Sequence, residues 1–318
     1  PCVSAHMGDQ FGHANRGLIS RTFGWFYMSI NVGAFASTLL TPWLLKHHGA
    51  AWAFGVPGVL MGLATLVFWM GRNRFVHIPP AGRVFLSEAL SGESLRIFGR
   101  LLLIYLFIAV FWALFDQTGS SWVLQAQKMD RALLGMEILP SQIQAANPLL
   151  VILLIPLFSY VVYPALERVI RLTPMRKVAI GFFLAALASA IASLAQQRID
   201  AGETPSVLWQ VLSYVVLTSA EVMVSITALE YAYTQAPRAL KSLIMAFFML
   251  SVSLGNIFTS AVNFFIQRDD GSLMLEGAEY FWFFTGLMLA TAALFTLLLP
   301  FIKDRTILQS TAMESSAA

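Results

Sequence analysis

The stretch LLLIYLFIAVFWALFDQTGSSWVLQAQ, residues 101–127, holds a single charged side chain, Asp116, in a run otherwise apolar enough to cross a bilayer. A helix needs about 20 residues to span ~30 Å of hydrocarbon, and this run satisfies that length. Working outward, further runs free of Lys and Arg occur at 23–45, 52–71, 146–164, 178–197, 207–232, 243–267 and 280–302. A transmembrane β-strand would be about half as long and alternate with a period of two, which excludes a barrel. The fold class is read as all-α, a polytopic membrane protein with eight spans.

Composition agrees. Of 318 residues, 58% are hydrophobic and 12% charged, with a mean hydropathy of +0.71. A soluble domain carries roughly 25% charged residues. Three quarters of the Lys and Arg fall in the tails and loops on the side that holds both termini, among them Arg16, Arg21, Arg72, Arg74, Arg96, Arg100, Arg168, Arg171, Arg176 and Lys177. The positive-inside rule then places both ends in the cytoplasm, in a cytoplasmic (inner) membrane. That bias accounts for the net charge of +3, and no nucleic-acid partner is needed. One cysteine, Cys2, cannot form an intramolecular disulfide.

The expected organisation is a cytoplasmic loop over 1–22 and a pair of helices over 23–71. A linker over 72–100, six helices over 101–302 and a cytoplasmic tail over 303–318 follow. His77-Ile78-Pro79-Pro80 breaks the linker, and 83–100 alternates apolar and charged residues as an amphipathic interfacial helix does. Two spans before a linker and six after it match a six-plus-six major facilitator layout if four further spans precede Pro1. The chain, which starts without Met, is therefore read as the carboxyl-terminal part of a longer protein, with eight of twelve helices. Pro148, Pro156 and Pro164 predict a kinked fourth span. Ser251, Gly255 and Thr259 repeat at four-residue spacing as a small-residue packing face.

Asp116 and Glu221 lie deep inside spans, where a charge costs at least ~2.5–3.5 kcal/mol. No Lys or Arg lies within any of the runs to neutralise them. Either they are protonated for part of a cycle, or cationic partners lie elsewhere in the protein. Trp112 shares a helix face with Asp116 and Gly119 or Ser120; Tyr214, Thr218, Glu221 and Ser225 form a second stripe. Tyr27, Asn31, Ala34 and Thr38 offer a third, and Gln144 with Asn147 a fourth. In lipid such stripes face protein or water, so a shared polar cavity is expected. Asn31 and Asn147 read equally well as interhelical hydrogen-bond donors, and Trp112 and Tyr214 as plain packing. The five histidines are read as loop residues, which argues against a metal site; no cofactor is expected either.

The run Phe23-Gly24-Trp25-Phe26-Tyr27-Met28-Ser29-Ile30-Asn31-Val32-Gly33-Ala34-Phe35 resembles the signature of proton-dependent oligopeptide transporters, which have the major facilitator fold. Phe111-Trp112-Ala113-Leu114-Phe115-Asp116-Gln117, Gln144-Ala145-Ala146-Asn147-Pro148, Ala220-Glu221 and Leu229-Glu230-Tyr231 are similar to the same family. So are Gly8-Asp9-Gln10-Phe11 and Ala53-Phe54-Gly55-Val56-Pro57-Gly58. The resemblance implies a symporter of di- and tripeptides with protons, acting by alternating access among membrane lipids. It implies that Asp116 and Glu221 couple protons and that Glu221 receives the peptide's amino terminus. Asn31 and Asn147 would bond the peptide backbone, and Tyr27, Trp112, Phe248 and Ser251 complete the candidate substrate-binding set.

Two departures stand out. The family usually has Glu at Asp116, one methylene longer, and many members have Trp near Phe248. The family's first-helix acid-and-Arg motif and its basic clamp for the peptide carboxylate belong to amino-terminal helices, so this chain alone is not expected to transport. A transporter of nitrate or another small metabolite on the same fold is the nearest alternative, though Glu221 would repel an anion lacking an amine. An aspartyl membrane protease would need a Gly-x-Gly-Asp run, which the sequence lacks, and no enzyme is expected. A passive channel would have no need of titratable acids.

Overall fold

The computed structural model describes residues 2–12, 14–77, 90–133, 136–138, 140–236, 240–267 and 274–302. Helix α1 (Cys2–Gly8) leads through a short 3-10 turn into α2 (Ile19–His48) and α3 (Ala50–Gly71). The turn between α2 and α3 is Gly49, whose φ of +84° favours a residue without a β-carbon. Helix α4 (Gly92–Phe115) is followed by a 3-10 turn at Asp116–Gly119 and by α5 (Ser121–Gln127). The chain goes on through α6 (Ala146–Leu157), a π segment (Phe158–Val162) and α7 (Tyr163–Glu167). Helices α8 (Pro174–Asp200), α9 (Leu208–Gln235), α10 (Lys241–Ile266) and α11 (Ala278–Leu298) complete it.

Eight of these stretches are long and apolar enough to cross a membrane, as the sequence led us to expect. An antiparallel pair of two-residue strands, β1 (Ala132–Leu133) and β2 (Met136–Glu137), decorates the connection after α5.

The packing centre is α8, which lies between α9 and α11. Its Gly181, Ala185, Ala188 and Ala192 let the neighbours approach closely. A β-carbon at Gly181 would run into Val224 and the Ala220 carbonyl of α9. Small residues are what membrane helices use for this, because lipid supplies no hydrophobic drive between them. Gly255 does the same between α10 and α4, where its backbone faces Ala109, Trp112 and Ala113. Thr259 adds a bond from its hydroxyl to the Ala113 carbonyl at 3.1 Å. Phe111, Phe182 and Phe295 tie α4, α8 and α11 through ring contacts of 6.3 and 5.2 Å. Outward-facing Leu153, Phe264 and Leu297 are exposed, as side chains in contact with lipid are.

Several expectations need correction. Residues 2–8 form a helix, because Ser4, Ala5 and Gly8 give α1 a small face that packs on α10. The third span starts inside the supposed linker: Ser91 caps α4 by accepting from the Ser94 N–H, and Ile97, Leu101 and Ile104 bury its inward face. The part of the amphipathic helix over 83–89 and the tail over 303–318 lie outside the described residues. The kink expected from the prolines takes the form of the π segment: Pro156 and Pro164 cannot donate to the ladder, and Tyr163 N–H bonds Phe158 O five residues back. Not all histidines are in loops. His6 belongs to α1, with Phe68 and Phe75 packed edge-on against it, and His47 and His48 end α2.

At the end of the bundle holding Asp200, glutamines form a buried chain. Gln210 Nε2 donates to Gln125 Oε1 (3.0 Å), Gln125 Nε2 to Gln196 Oε1 (3.0 Å), and Gln196 Nε2 to Asp200 Oδ1 (2.8 Å). Asp200 Oδ2 in turn accepts the Ala278 N–H at 2.7 Å and so caps α11. Four helices, α5, α8, α9 and α11, are joined by this series.

Candidate functional site

Glu221 sits on the inward face of α9 and is 3% exposed. The Tyr27 hydroxyl of α2 donates to its Oε1 at 2.5 Å. The Asn147 amide of α6 donates to its Oε2 at 2.6 Å and to Thr218 Oγ1 at 3.1 Å. One acid thus gathers three helices. Both oxygens take neutral donors, and no Lys or Arg of the described residues pairs with Glu221 within 4.0 Å. A carboxylate so placed is solvated by dipoles and has no cation of the described residues beside it. It can take a proton or a ligand ammonium.

A cavity of about 330 Å³ opens between α1, α2, α4, α9 and α10, lined by Phe26, Tyr27, Trp112, Ser225 and Phe248 among others. Its volume lies at the low end of ligand-site sizes, roughly 300–1,000 Å³. Most of the wall is apolar. Trp112 is held edge-on between Phe111 and Phe115, and its buried indole N–H has no acceptor among the described residues.

Asp116 caps α4 at the point where the third span breaks. It is half-buried, faces Asn256 of α10, and is close enough to Glu221 for their charges to interact. The continuous helix expected over 101–127 is therefore interrupted at the acid itself.

The structure brings together Tyr27, Asn147 and Glu221 in one cluster and places Tyr27, Trp112 and Phe248 on one cavity. Glu221 lies a layer behind Tyr27 and does not itself line the cavity. Asn31 is buried, and its amide turns back to the Tyr27 carbonyl at 3.0 Å. Ser251 departs from the expected set. Its hydroxyl donates to Phe248 O at 2.6 Å, and it borders a separate hollow beside Tyr105, because its position on α10 points away from Trp112. Asn256 went unnoticed as a partner of Asp116, although the Gly255-Asn256 pair marks it.

One turn beyond Leu229, which lines the cavity, α9 carries Tyr233. Its hydroxyl donates to Asp9 Oδ1 at 2.9 Å, Lys241 Nζ stands 3.5 Å over its ring, and Gly8 lies flat against the ring. Arg100 donates to Gln235 Oε1 at 3.1 Å nearby. These contacts lie past Leu229, beside the cavity.

A lipid-length helical bundle with an internal cavity and a buried acid one layer behind its wall defines a polytopic membrane protein with a solute-sized chamber. The chain belongs to the POT family, whose profile matches residues 1–92 and 84–283. It is 36% identical over 241 residues to peptide transporter 3 of Caenorhabditis elegans, covering 63% of this chain and 34% of that protein. It is 35% identical over 270 residues to solute carrier family 15 member 2 of Rattus norvegicus, covering 72% and 37%. The chain thus spans about a third of the length of these curated relatives. Among solved structures, an auto-inhibited POT family peptide transporter superposes with a TM-score of 0.74 at 29% identity, covering 97% of this chain and 76% of that one. The POT family transporter PepTSo gives 0.73 at 32% identity, with 94% and 74% covered. The partial major facilitator fold expected from the sequence is borne out.

Proposed function

We propose that the protein containing this chain carries di- and tripeptides together with protons across the cytoplasmic membrane by alternating access, with both ends of this chain cytoplasmic. The carrying observation is Glu221: an acid buried one layer behind Tyr27 of the cavity wall, with a neutral donor on each oxygen and no cation within 4.0 Å among the described residues. The relatives' names as peptide transporters support the substrate class.

In this reading a peptide ammonium entering past Trp112 and Phe248 displaces the Tyr27 hydroxyl and forms a charge-assisted bond to Glu221. Asn147 and Asn31 offer amides to the peptide backbone, which every peptide shares. Protonation of Glu221 removes its charge and turns one oxygen into a donor, so the charge-assisted bonds from Tyr27 and Asn147 weaken and the one from Tyr27 reverses direction where that oxygen is protonated. That loosens α9 from α2 or α6 and biases the packing of the helices. Asp116, within charge range, receives the proton when Glu221 is engaged by peptide. No catalytic step, cofactor or metal enters the scheme.

The test is Glu221→Gln in the full-length protein, reconstituted in vesicles with an inward proton gradient. Dipeptide accumulation is expected to vanish. Unchanged accumulation would overturn the role given to Glu221.

A further inference from the structure

A second hollow, of about 270 Å³, opens at the arginine-rich end of the bundle among α2, the π segment with α7, α8 and α9. Two cations line it, Arg21 and Lys177. Arg21 Nη2 donates to the Tyr160 hydroxyl at 2.7 Å, and the guanidinium carbon lies 5.5 Å from that ring's centre. The Lys177 ammonium stands 4.3 Å over the Tyr163 ring.

Neither cation has a carboxylate within 4.0 Å among the described residues. Glu167 borders the hollow and is exposed; Glu230, half-buried, is engaged by Ser20 and reaches Lys177 only through space. A guanidinium has five N–H donors and an ammonium three; one Arg21 donor is taken by Tyr160, and both cations border the hollow. Arg168, Arg171 and Arg176 on the adjoining turn leave positive charge in excess.

The surroundings are those of a membrane interface. Tyr160 and Val161 are 54% and 57% exposed, and exposed Leu153 and Leu157 continue the apolar flank toward the bundle's middle. Tyrosines mark the depth of lipid headgroups, and basic hollows between helices attract anionic ones. We propose that this hollow is a binding site for an anionic phospholipid. Arg21 and Lys177 donate to the phosphate, Tyr160 and Tyr163 wall the headgroup, and an acyl chain follows α6. The site stands independently of what the cavity transports.

The test uses the purified full-length protein in symmetrical phosphatidylcholine nanodiscs doped with phosphatidylglycerol, so membrane sidedness does not matter. Retained lipid is counted by native mass spectrometry. Phosphatidylglycerol is expected to be kept in preference to phosphatidylcholine, and Arg21→Gln with Lys177→Gln should lower its retention by about tenfold. Arg198→Gln, at the opposite end, should leave retention unchanged. If the double variant does not fold, the two single variants carry the same reading. Equal retention of both lipids, or retention indifferent to these substitutions, would overturn the site. Phosphatidylethanolamine held as well as phosphatidylglycerol would overturn its anionic character. Displacement of lipid by inorganic phosphate would reassign it to a free anion.

Discussion

Tyr27 and Glu221, 194 residues apart in sequence, share a hydrogen bond of 2.5 Å that fastens α2 to α9 at the wall of the cavity. Hydrogen bonds to a charged group contribute about 1.5–3 kcal/mol. Tyr27→Phe keeps the ring and removes that donor. Its expected outcome is a lower thermal unfolding temperature in detergent, with peptide uptake weakened mainly through KM. A variant that melts like the parent would show that the bond carries no stability.

Gly255 offers a packing test. A β-carbon there meets backbone atoms of Ala109 and Ala113, which cannot swing aside. Gly255→Ala should force α10 from α4 and destabilise by about 1–3 kcal/mol, as overpacking does. Gly286, with open space around its β-carbon position, provides the comparison. Gly286→Ala should leave the melting temperature unchanged or slightly raised.

Asp200 is expected to matter through α11. Removing its carboxylate frees the Ala278 N–H and Gln196 together. Asp200→Ala should cost about 0.5–2 kcal/mol, the range for losing a helix cap. Asp200→Asn, which retains an acceptor, should recover part of it. Hydrogen exchange at Ala278 reads the change directly.

Tyr233→Phe removes the bond to Asp9 while leaving Lys241 over the ring. Access to the cavity past Leu229, at its Tyr233 end, should then be freer. With Cys2 replaced by serine, a cysteine introduced at Ser225 should be labelled faster from that end. Unchanged labelling would show that the contact at Tyr233 holds by packing alone.

The spans were legible because lipid admits only helices over such runs, and eight runs became eight helices. The convergence of Tyr27, Asn147 and Glu221 could be read from polar stripes, since each had to face protein. Which donor met which oxygen could not be, because that depends on helix rotation. The break at Asp116 was hidden: the residues before it are uniformly apolar, and Gly119 comes only after the helix has ended. Pro156 and Pro164 announced irregularity in the fourth span without specifying a π segment. Ser251 misled because a small-residue stripe looks alike whether it faces a ligand or a neighbouring helix. The glutamines at 125, 196 and 210 carried no periodic signal, and only the fold brings them together.

The glutamine series has a consequence for motion. Sliding α5, α8 or α9 past one another would strand a glutamine amide in a dry interior, where nothing replaces the lost partner. These three segments are therefore expected to travel as a single block, with α11 tied to it at its exposed start through Asp200 and Ala278. Any rearrangement of these helices is then expected to hinge around that block, with α2 and the proline-interrupted fourth span as its yielding parts.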